Sequence, residues 1–436
     1  MREWGVREFL LLCNRPARGS NANTILEHIE AIHQMPGYRV WEISMIGNIP
    51  ALLDLNQFDA VGIHYSIHLN DPNDHFLTQR AIERLSSYKG HKCIWMHDEY
   101  RLVDDTIAKL NRIGIDTLFT VIPEVTARRI YGTAKLPNTK VVTVLTGYVS
   151  PELEEIEAFW DDPRPVDVSY RARRPPFWLG ELGQDKVRIG QRFLAEGKPF
   201  DLEMNISVEE ADRLYDKHWL DLLLKSKASL SSESGASIVD FTGRIEQQVD
   251  QYVTAHPNAE FEDVRNIVAA VDYEYVINCI SPRIFEMVAC RTLIVAFPGE
   301  YSRLIEPWVH YVPLNKDFSN LAEVVRAIQS PETRQRITER AYQDIIGSRK
   351  YSYDVFSRLC ADQMDLPERT AGPLHQPQFY FSLFVSPTYV ARNVLSRLFQ
   401  RYILASGLRA DLIRTWLKLP RPVQQFLKPL LRLVGR

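Results

Sequence analysis

The stretch Cys279-Ile280-Ser281-Pro282-Arg283-Ile284-Phe285-Glu286-Met287-Val288-Ala289-Cys290-Arg291-Thr292-Leu293-Ile294-Val295-Ala296-Phe297 decides the fold. It reads as a short helix, turned over at Cys290-Arg291-Thr292, that runs into a buried strand. Ser281-Pro282 suits a helix opening, because a serine can cap free backbone N–H groups and a proline at the first helical position loses no hydrogen bond. Glu286 is the one carboxylate inside the apolar turn Ile284-Phe285-Met287-Val288-Ala289. Two readings of it stand side by side. It faces solvent or pairs with Arg283, three residues earlier, or it belongs to a site.

Upstream, Glu8 to Cys13 is a continuous apolar run, as expected of a parallel strand buried on both faces. A polar loop, Asn14 to Asn23, separates it from the helical pattern Ile25, Ile29, Ile32. The alternation continues through strand-like runs at Tyr38–Ile43, Ala60–His64, Lys92–Met96, Thr117–Val121 and Val141–Leu145, with helical stretches at Asp74–Lys89 and Val103–Ile113 between them. This is the pattern of a doubly wound α/β domain, whose ligands bind beyond the carboxyl ends of the strands. No G-x-G-x-x-G follows the first strand, so a dinucleotide fingerprint is not supported. Two strand ends carry groups capable of acid–base chemistry, Gly62-Ile63-His64-Tyr65-Ser66-Ile67-His68 and Trp95-Met96-His97-Asp98-Glu99-Tyr100-Arg101. His64, His97, Asp98 and Glu99 are therefore the candidate catalytic residues, against the plainer role of satisfying loop backbone.

Residues 151–165 are acidic and proline-bounded, and read as an interdomain connection. After it, Val166–Arg171 restarts the α/β pattern. The following loop brings Arg171, Arg173 and Arg174 to a strand end, with Gly180, Gly183 and then Lys186 entering the next helix, which are the ingredients of a phosphate cradle. Further on, a helix ends within Trp219–Ser226, and the strand Ala228–Ser232 delivers Glu233-Ser234-Gly235-Ala236-Ser237, small residues whose backbone can approach a ligand closely. The polar, helical segment 243–275 reads as an excursion inserted between two halves of one site. Beyond Phe297 come a final strand around Tyr311–Leu314 and helices at Leu321–Ile328, capped at Asn320, and Glu332–Ile346.

At 436 residues the chain is long enough for two or three domains, and its apolar and charged fractions are those of a globular protein. No apolar run approaches the roughly 20 residues that span a bilayer, and no secretory signal is evident at the start. The five cysteines include no Cys-x-x-Cys pair, which argues against a disulfide framework or zinc site and for a reducing cytoplasmic setting. Of the 52 Lys and Arg, 10 lie in residues 371–436 against a single acid there, Asp411. Within that tail Val390, Val394, Leu395, Leu398, Phe399, Tyr402 and Ile403 fall at helical spacing opposite Arg392, Arg397 and Arg401, a basic amphipathic pattern. Such helices pack on a protein partner or lie on an anionic membrane surface. No nucleic-acid motif is present and the body is acidic, so no nucleic-acid partner is expected.

Two α/β halves with a basic loop and a late glutamate resemble the two-Rossmann, GT-B glycosyltransferases. The likeness is most specific from Glu286 to Val295, where Glu-Met-Val-Ala-Cys-Arg-Thr-Leu-Ile-Val is similar to the E-A-M-A-C-G-x-P-V-V helix of family-4-like enzymes, followed here by Tyr311-Val312-Pro313-Leu314 and the helix Leu321–Ile328. The phrases Ser-Glu-Ser-Gly-Ala-Ser and Gly-Glu-Tyr-Ser resemble transferases of bacterial surface-polysaccharide clusters. The resemblance implies an α/β GT-B fold of two Rossmann-like domains facing each other across a cleft: an acceptor domain over 1–150, a linker over 151–165, a donor domain over 166–366 and the basic helical tail over 367–436.

It further implies that Glu286 accepts the ribose hydroxyls of a nucleotide sugar and that Arg171, Arg173 or Arg174 grips its diphosphate with Lys186. Ser281 and Arg283 stand beside Glu286 at the same corner. The family's second glutamate lies eight positions before the first, and here that position is Asn278. Glu233, with Ser234 and Gly235, takes its place if the excursion folds back. The function implied is transfer of a sugar from a UDP-, GDP- or TDP-sugar to a glycan or lipid-linked acceptor in surface polysaccharide synthesis, retaining and metal-independent, on the cytoplasmic face of the inner membrane. No metal and no permanently bound cofactor are expected, since Asp161-Asp162 lies in the linker. Two alternatives share the architecture: a sugar-nucleotide 2-epimerase and a catalytically idle interaction protein.

Overall fold

The computed structural model describes residues 6–17, 23–51, 53–364 and 366. Six parallel strands come first: β1 (Arg7–Cys13), β2 (Tyr38–Ser44), β3 (Ala60–Ile63), β4 (His91–Met96), β5 (Thr117–Thr120) and β6 (Lys140–Thr143). They form one sheet in the order β2-β1-β3-β4-β5-β6. Helices α1 (Asn23–His33), α2 (Gln79–Ser87), α3 (Val103–Ile113) and α4 (Glu124–Ile130) alternate with them. Phe9 to Cys13 are wholly buried, which is why β1 reads as an unbroken apolar run. The helix expected over Asp74–Lys89 is shorter and starts after Thr78, whose hydroxyl caps the Ala81 N–H. Ahead of it, the Asp71 carboxylate holds the chain in a turn by accepting from the N–H groups of Asn73 and His75.

After the short linker helix α5 (Pro151–Glu154), a second parallel sheet is built from β7 (Val166–Arg171), β8 (Met204–Ser207), β9 (Ser226–Ser231), β12 (Leu293–Ala296) and β13 (Val312–Pro313), in the order β13-β12-β9-β7-β8. Its helices are α6 (Gly180–Glu196), α7 (Asp216–Leu224), α10 (Arg283–Ala289), α11 (Leu321–Gln329) and α12 (Pro331–Tyr342). The two doubly wound parallel sheets joined by a linker are the α/β architecture expected from the sequence. Between β9 and α10 lies a separate antiparallel pair, β10 (Ser234–Ala236) with β11 (Ile277–Cys279), and the excursion between its strands carries α8 (Arg244–Ala255) and α9 (Phe261–Val268).

Two details of helix capping differ from expectation. The N-cap of α10 is Pro282, and the Ser281 hydroxyl makes no capping bond. Asn320 does stand at the N-cap of α11, but its amide bonds Pro313 O and the Asn315 N–H, so it ties down the preceding loop and leaves the helix uncapped.

The chain crosses between the sheets twice, and the crossings lie side by side: the Val149 N–H donates to Tyr351 O at 2.8 Å and the Tyr353 N–H to Val149 O at 3.1 Å. The second crossing returns the last described helix, α13 (Tyr353–Met364), to the first domain, where the Ser357 hydroxyl donates to Ala31 O in α1 and Cys360 accepts from the Trp95 indole. The excursion also leans on the first domain. Asp240 N–H donates to Tyr100 O at 2.8 Å, Arg101 pairs with Glu246 at 2.6 Å, and Arg129 donates to Glu274 O at 2.9 Å.

The end of the linker is pinned by Arg164, 7% exposed, with no carboxylate partner. Its guanidinium donates to the carbonyls of Leu223, Ser226, Phe159 and Cys290 and to the Thr292 hydroxyl. Five acceptors from three chain segments converge on one planar donor group, which only arginine supplies. Arg164→Met leaves those acceptors unpaired and is expected to lower unfolding stability by about 3 kcal/mol, measured by urea titration.

Candidate functional site

The C-terminal edge of the second sheet gathers the cationic groups. Of the three arginines after β7, Arg171 is fully engaged: it donates to Asp212 O, Tyr170 O, Asn205 O and the Asn205 side chain, and so braces the β8 edge. Arg174 lies 4.0 Å from both Glu209 and Glu260 on the surface. Arg173 is exposed and has no hydrogen-bond or ion-pair partner among the described residues. Lys186, one and a half turns into α6, is likewise partnerless. Burial lowers the Lys186 pKa, Asp98 of the first domain opposes that, and Arg283 and Arg173 add to it. Arg173 and Arg283 therefore each lie within electrostatic range of Lys186, with Asp98 as its counter-charge across the domain boundary. An unsatisfied cationic group of this kind is suited to a polyanionic ligand.

The glycines do not serve the ligand in the way the sequence suggests. Gly180 has φ +75°, and a Cβ there would meet Ser237 Oγ at 2.5 Å. The Ser237 hydroxyl and the Asp272 carboxylate accept from the N–H groups of Leu182 and Glu181, so the start of α6 is closed off by the excursion. Gly235 has φ +122°, and its missing Cβ is replaced by the Ile277 carbonyl, which a Cβ would meet at 1.8 Å. Its neighbour Ser234 is paired with Cys279 in the same ladder. Gly235 thus permits the β10–β11 pairing and not a ligand's approach.

That pairing carries Glu233 back to Asn278, the position where a second glutamate was sought. The Asn278 amide donates to Glu233 Oε1 at 3.1 Å, and the N–H groups of Glu300 and Tyr301 donate to the same oxygen at 2.9 Å each. Oε2 takes none of these bonds. Burial raises the Glu233 pKa, and the three donors hold it down in part. Glu286, in the first turn of α10, accepts from the Trp219 indole N–H through Oε2 at 2.6 Å. Its pKa is raised by burial and lowered by Arg283 and by that hydrogen bond. The two glutamates share no hydrogen-bond partner. Ser281 sits beside them with its hydroxyl outside any capping bond.

On the first-domain side the four candidates divide. Glu99 is turned into the core, 2% exposed, with Oε1 accepting from the Thr120 hydroxyl and Val121 N–H and Oε2 from the Tyr131 hydroxyl. His64 is wholly buried and its Nδ1 accepts from the Ser66 N–H at 3.0 Å. His97 stacks on Tyr65 at 3.8 Å, and burial lowers its pKa to about 4, so the ring is neutral at physiological pH. Asp98 is exposed at φ +56° and accepts from the Tyr100 hydroxyl at 2.9 Å. Asp98 is thus the candidate left at the surface of that strand end, with His97 half-buried beside it.

Three participants carry no signal in the sequence. His28 of α1 packs 4.9 Å from His64 with neither ring nitrogen hydrogen-bonded. Glu27, also of α1, has its pKa raised to about 7, first by burial and then by Glu286, Glu152 and Glu30. It lies within electrostatic range of the donor-side carboxylate. Trp219 reads as one more apolar helix residue until its indole is placed against Glu286. Among the described residues no group of three His, Cys, Asp or Glu is arranged to hold a metal ion.

No protein-family model matches this sequence, and no curated protein matches it significantly. Solved structures do resemble it. T4 phage BGT in complex with its UDP-glucose substrate is similar at 12% identity over 82% of this chain and 100% of that one, with a TM-score of 0.47. Anabaena HepE in complex with UDP is similar at 12% identity over 82% of this chain and 99% of that one, at 0.46. An alpha-glucosyltransferase in complex with UDP and a 13-mer DNA containing an HMU base is similar at 10% identity over 83% and 99%, at 0.44.

Burial raises the Glu99 pKa to about 7, against roughly 4.3 in an unfolded chain. The folded protein therefore binds this proton more tightly than the unfolded one. The stability it contributes is complete below pH 4.3 and is lost as pH rises through 7. Glu99→Gln cannot ionise, so its melting temperature relative to wild type should climb between pH 5 and 8, by an amount equivalent to roughly 3 kcal/mol, in paired thermal melts. Parallel pH profiles would overturn the assignment.

Proposed function

We propose that the protein is a glycosyltransferase that takes a sugar from a nucleotide-sugar donor held at the second domain's strand ends. The observation that carries this reading is Lys186, which has no hydrogen-bond or ion-pair partner among the described residues and has Arg173 and Arg283 within electrostatic range. Departure of a nucleoside diphosphate needs its growing negative charge stabilised, and preorganised cations at the site meet that need. Lys186 offers a compact charge and the arginines planar donors that match phosphate oxygens. Glu286, with Oε1 outside the Trp219 hydrogen bond, is suited to accept ribose hydroxyls. Glu233 is suited to fix the loop 299–301 beside the sugar. Arg171, Arg174 and Gly235 have other tasks in the fold.

The acceptor is proposed to be a glycan or lipid-linked saccharide approached by the first domain, with Asp98 and His97 orienting it. The withdrawal of Glu99 and His64 from the surface supports a retaining course, which asks for no acceptor-side base. The cations carry the leaving group's charge without a metal in this reading. The basic amphipathic tail, which lies outside the described residues, fits attachment to an anionic membrane surface where a lipid-linked acceptor is presented. Among the described residues no helix is long and apolar enough to cross a membrane.

Calorimetric titration with UDP-, GDP- and TDP-sugars tests the donor site. At least one should bind, and Lys186→Ala should weaken it about 10- to 100-fold, the loss of one charge-assisted contact. Absence of binding across the panel, or unchanged binding in Lys186→Ala, removes the proposal. For the tail, the full chain should co-float with anionic liposomes, and Arg397→Glu with Arg401→Glu should abolish flotation; equal flotation removes the membrane claim.

A further inference from the structure

Trp219 touches two of the groups that the donor site depends on. Its side chain is buried, with 4% exposure, on α7. The indole Nε1–H donates to Glu286 Oε2 at 2.6 Å, and the Arg283 guanidinium lies over the same ring, 4.8 Å from its centroid. Arg283 also donates through Nη1 to Arg171 O, and its other donors have no partner among the described residues. Its plane is thus set by a ring face on one side and a carbonyl at one nitrogen. Arg283 and Glu286 are one turn apart on α10, and a single aromatic side chain holds both.

We propose that Trp219 is the positioning residue of the donor site: its N–H fixes the Glu286 carboxylate with Oε1 presented to ligand hydroxyls, and its face fixes the Arg283 plane for phosphate oxygens. This rests on the nucleotide-sugar reading above. The chemistry is specific to an indole. Tryptophan is a donor only, so it binds the ionised carboxylate and cannot serve as an acceptor for a protonated one. The hydrogen bond therefore favours the charged form, which burial opposes. The ring face attracts a guanidinium by its quadrupole and needs no second anion, so the arginine's charge stays available to a ligand. Trp219 itself is locked by its helix. Leu222 and Leu223 pack in the same core as Ile284 and Phe285, and the first residue of α7, Asp216, accepts from the Asn23 amide of the first domain at 3.1 Å.

The test is donor affinity as a function of pH, measured by calorimetry on wild type, Trp219→Phe and Glu286→Gln with the best nucleotide sugar of the panel. Trp219→Phe keeps a ring beneath Arg283 and loses the N–H. It should bind about 10-fold more weakly on the acidic limb of the affinity profile and recover towards wild type as pH rises above that limb, because Glu286 then ionises without help. The acidic limb of the affinity profile should move up by about one pH unit. Glu27 of α1, within electrostatic range of Glu286 and with its pKa raised to about 7, titrates in every variant, so Glu286→Gln should lose only the part of the limb that Trp219→Phe moves, and adding Trp219→Phe to it should change nothing further in the pH dependence. An unshifted limb in Trp219→Phe, or a loss equal at every pH, overturns the proposal and marks Trp219 as packing alone. An affinity profile of Glu286→Gln that coincides with wild type at every pH overturns it as well, even if Trp219→Phe does not fold. Failure of wild type to bind any nucleotide sugar instead brings down the donor-site reading, and this inference with it.

Discussion

One carboxylate oxygen holds three distant pieces of the second domain together. Glu233 Oε1 accepts from the Asn278 amide and from the N–H groups of Glu300 and Tyr301. It lies at the end of β9, at the base of the β10–β11 pair and over the loop after β12. The donors come from segments 45 to 68 residues away in sequence. With those bonds made, the 40-residue detour through α8 and α9 closes on itself, and the chain re-enters α10 at a fixed point. Arg283 and Glu286 follow within two turns, so their placement depends on this closure.

The detour has a second role. Its outer side is hydrogen-bonded to the first domain through Asp240, Glu246 and Glu274, while its inner side caps the start of α6 with Ser237 and Asp272. Helix α6 and the first domain are therefore registered by the same insertion. The paired crossings at Val149 and Tyr351–Tyr353, together with α13 on α1, tie the opposite end. Lys186 stays within electrostatic range of Asp98 because both ends are fixed.

Much of the fold was legible because its signals are local. Largely apolar runs gave β1 and β3 through β5 within a residue or so, since a strand buried on both faces has no polar alternation, whereas β2 at the sheet edge carries Arg39 and Glu42. The linker announced itself by proline and acid. The site was legible in part. A strand end with three arginines and a following lysine reads as the ingredients of a phosphate cradle, yet nothing in Arg171, Arg173 and Arg174 says which one is free. That depends on Asn205 and Asp212, more than 30 residues away, which occupy Arg171. Glu99 and Asp98 are neighbours in the same loop, and only the pocket formed by Thr120 and Tyr131 draws one inward and leaves the other outside.

The sequence by itself determined the two alternating halves, the break between them, the residue types able to meet a charged ligand and the basic character of the tail. It did so because periodicity, proline and composition act over a few residues. Only the tertiary structure decided that Glu233 returns to Asn278, that Gly235 serves a strand pair, that the start of α6 is closed, and that Trp219 joins Arg283 to Glu286. Each of these is a choice of hydrogen-bond partner made across long loops. Such a choice is governed by which groups packing brings within about 3 Å of each other, a distance that no local pattern encodes.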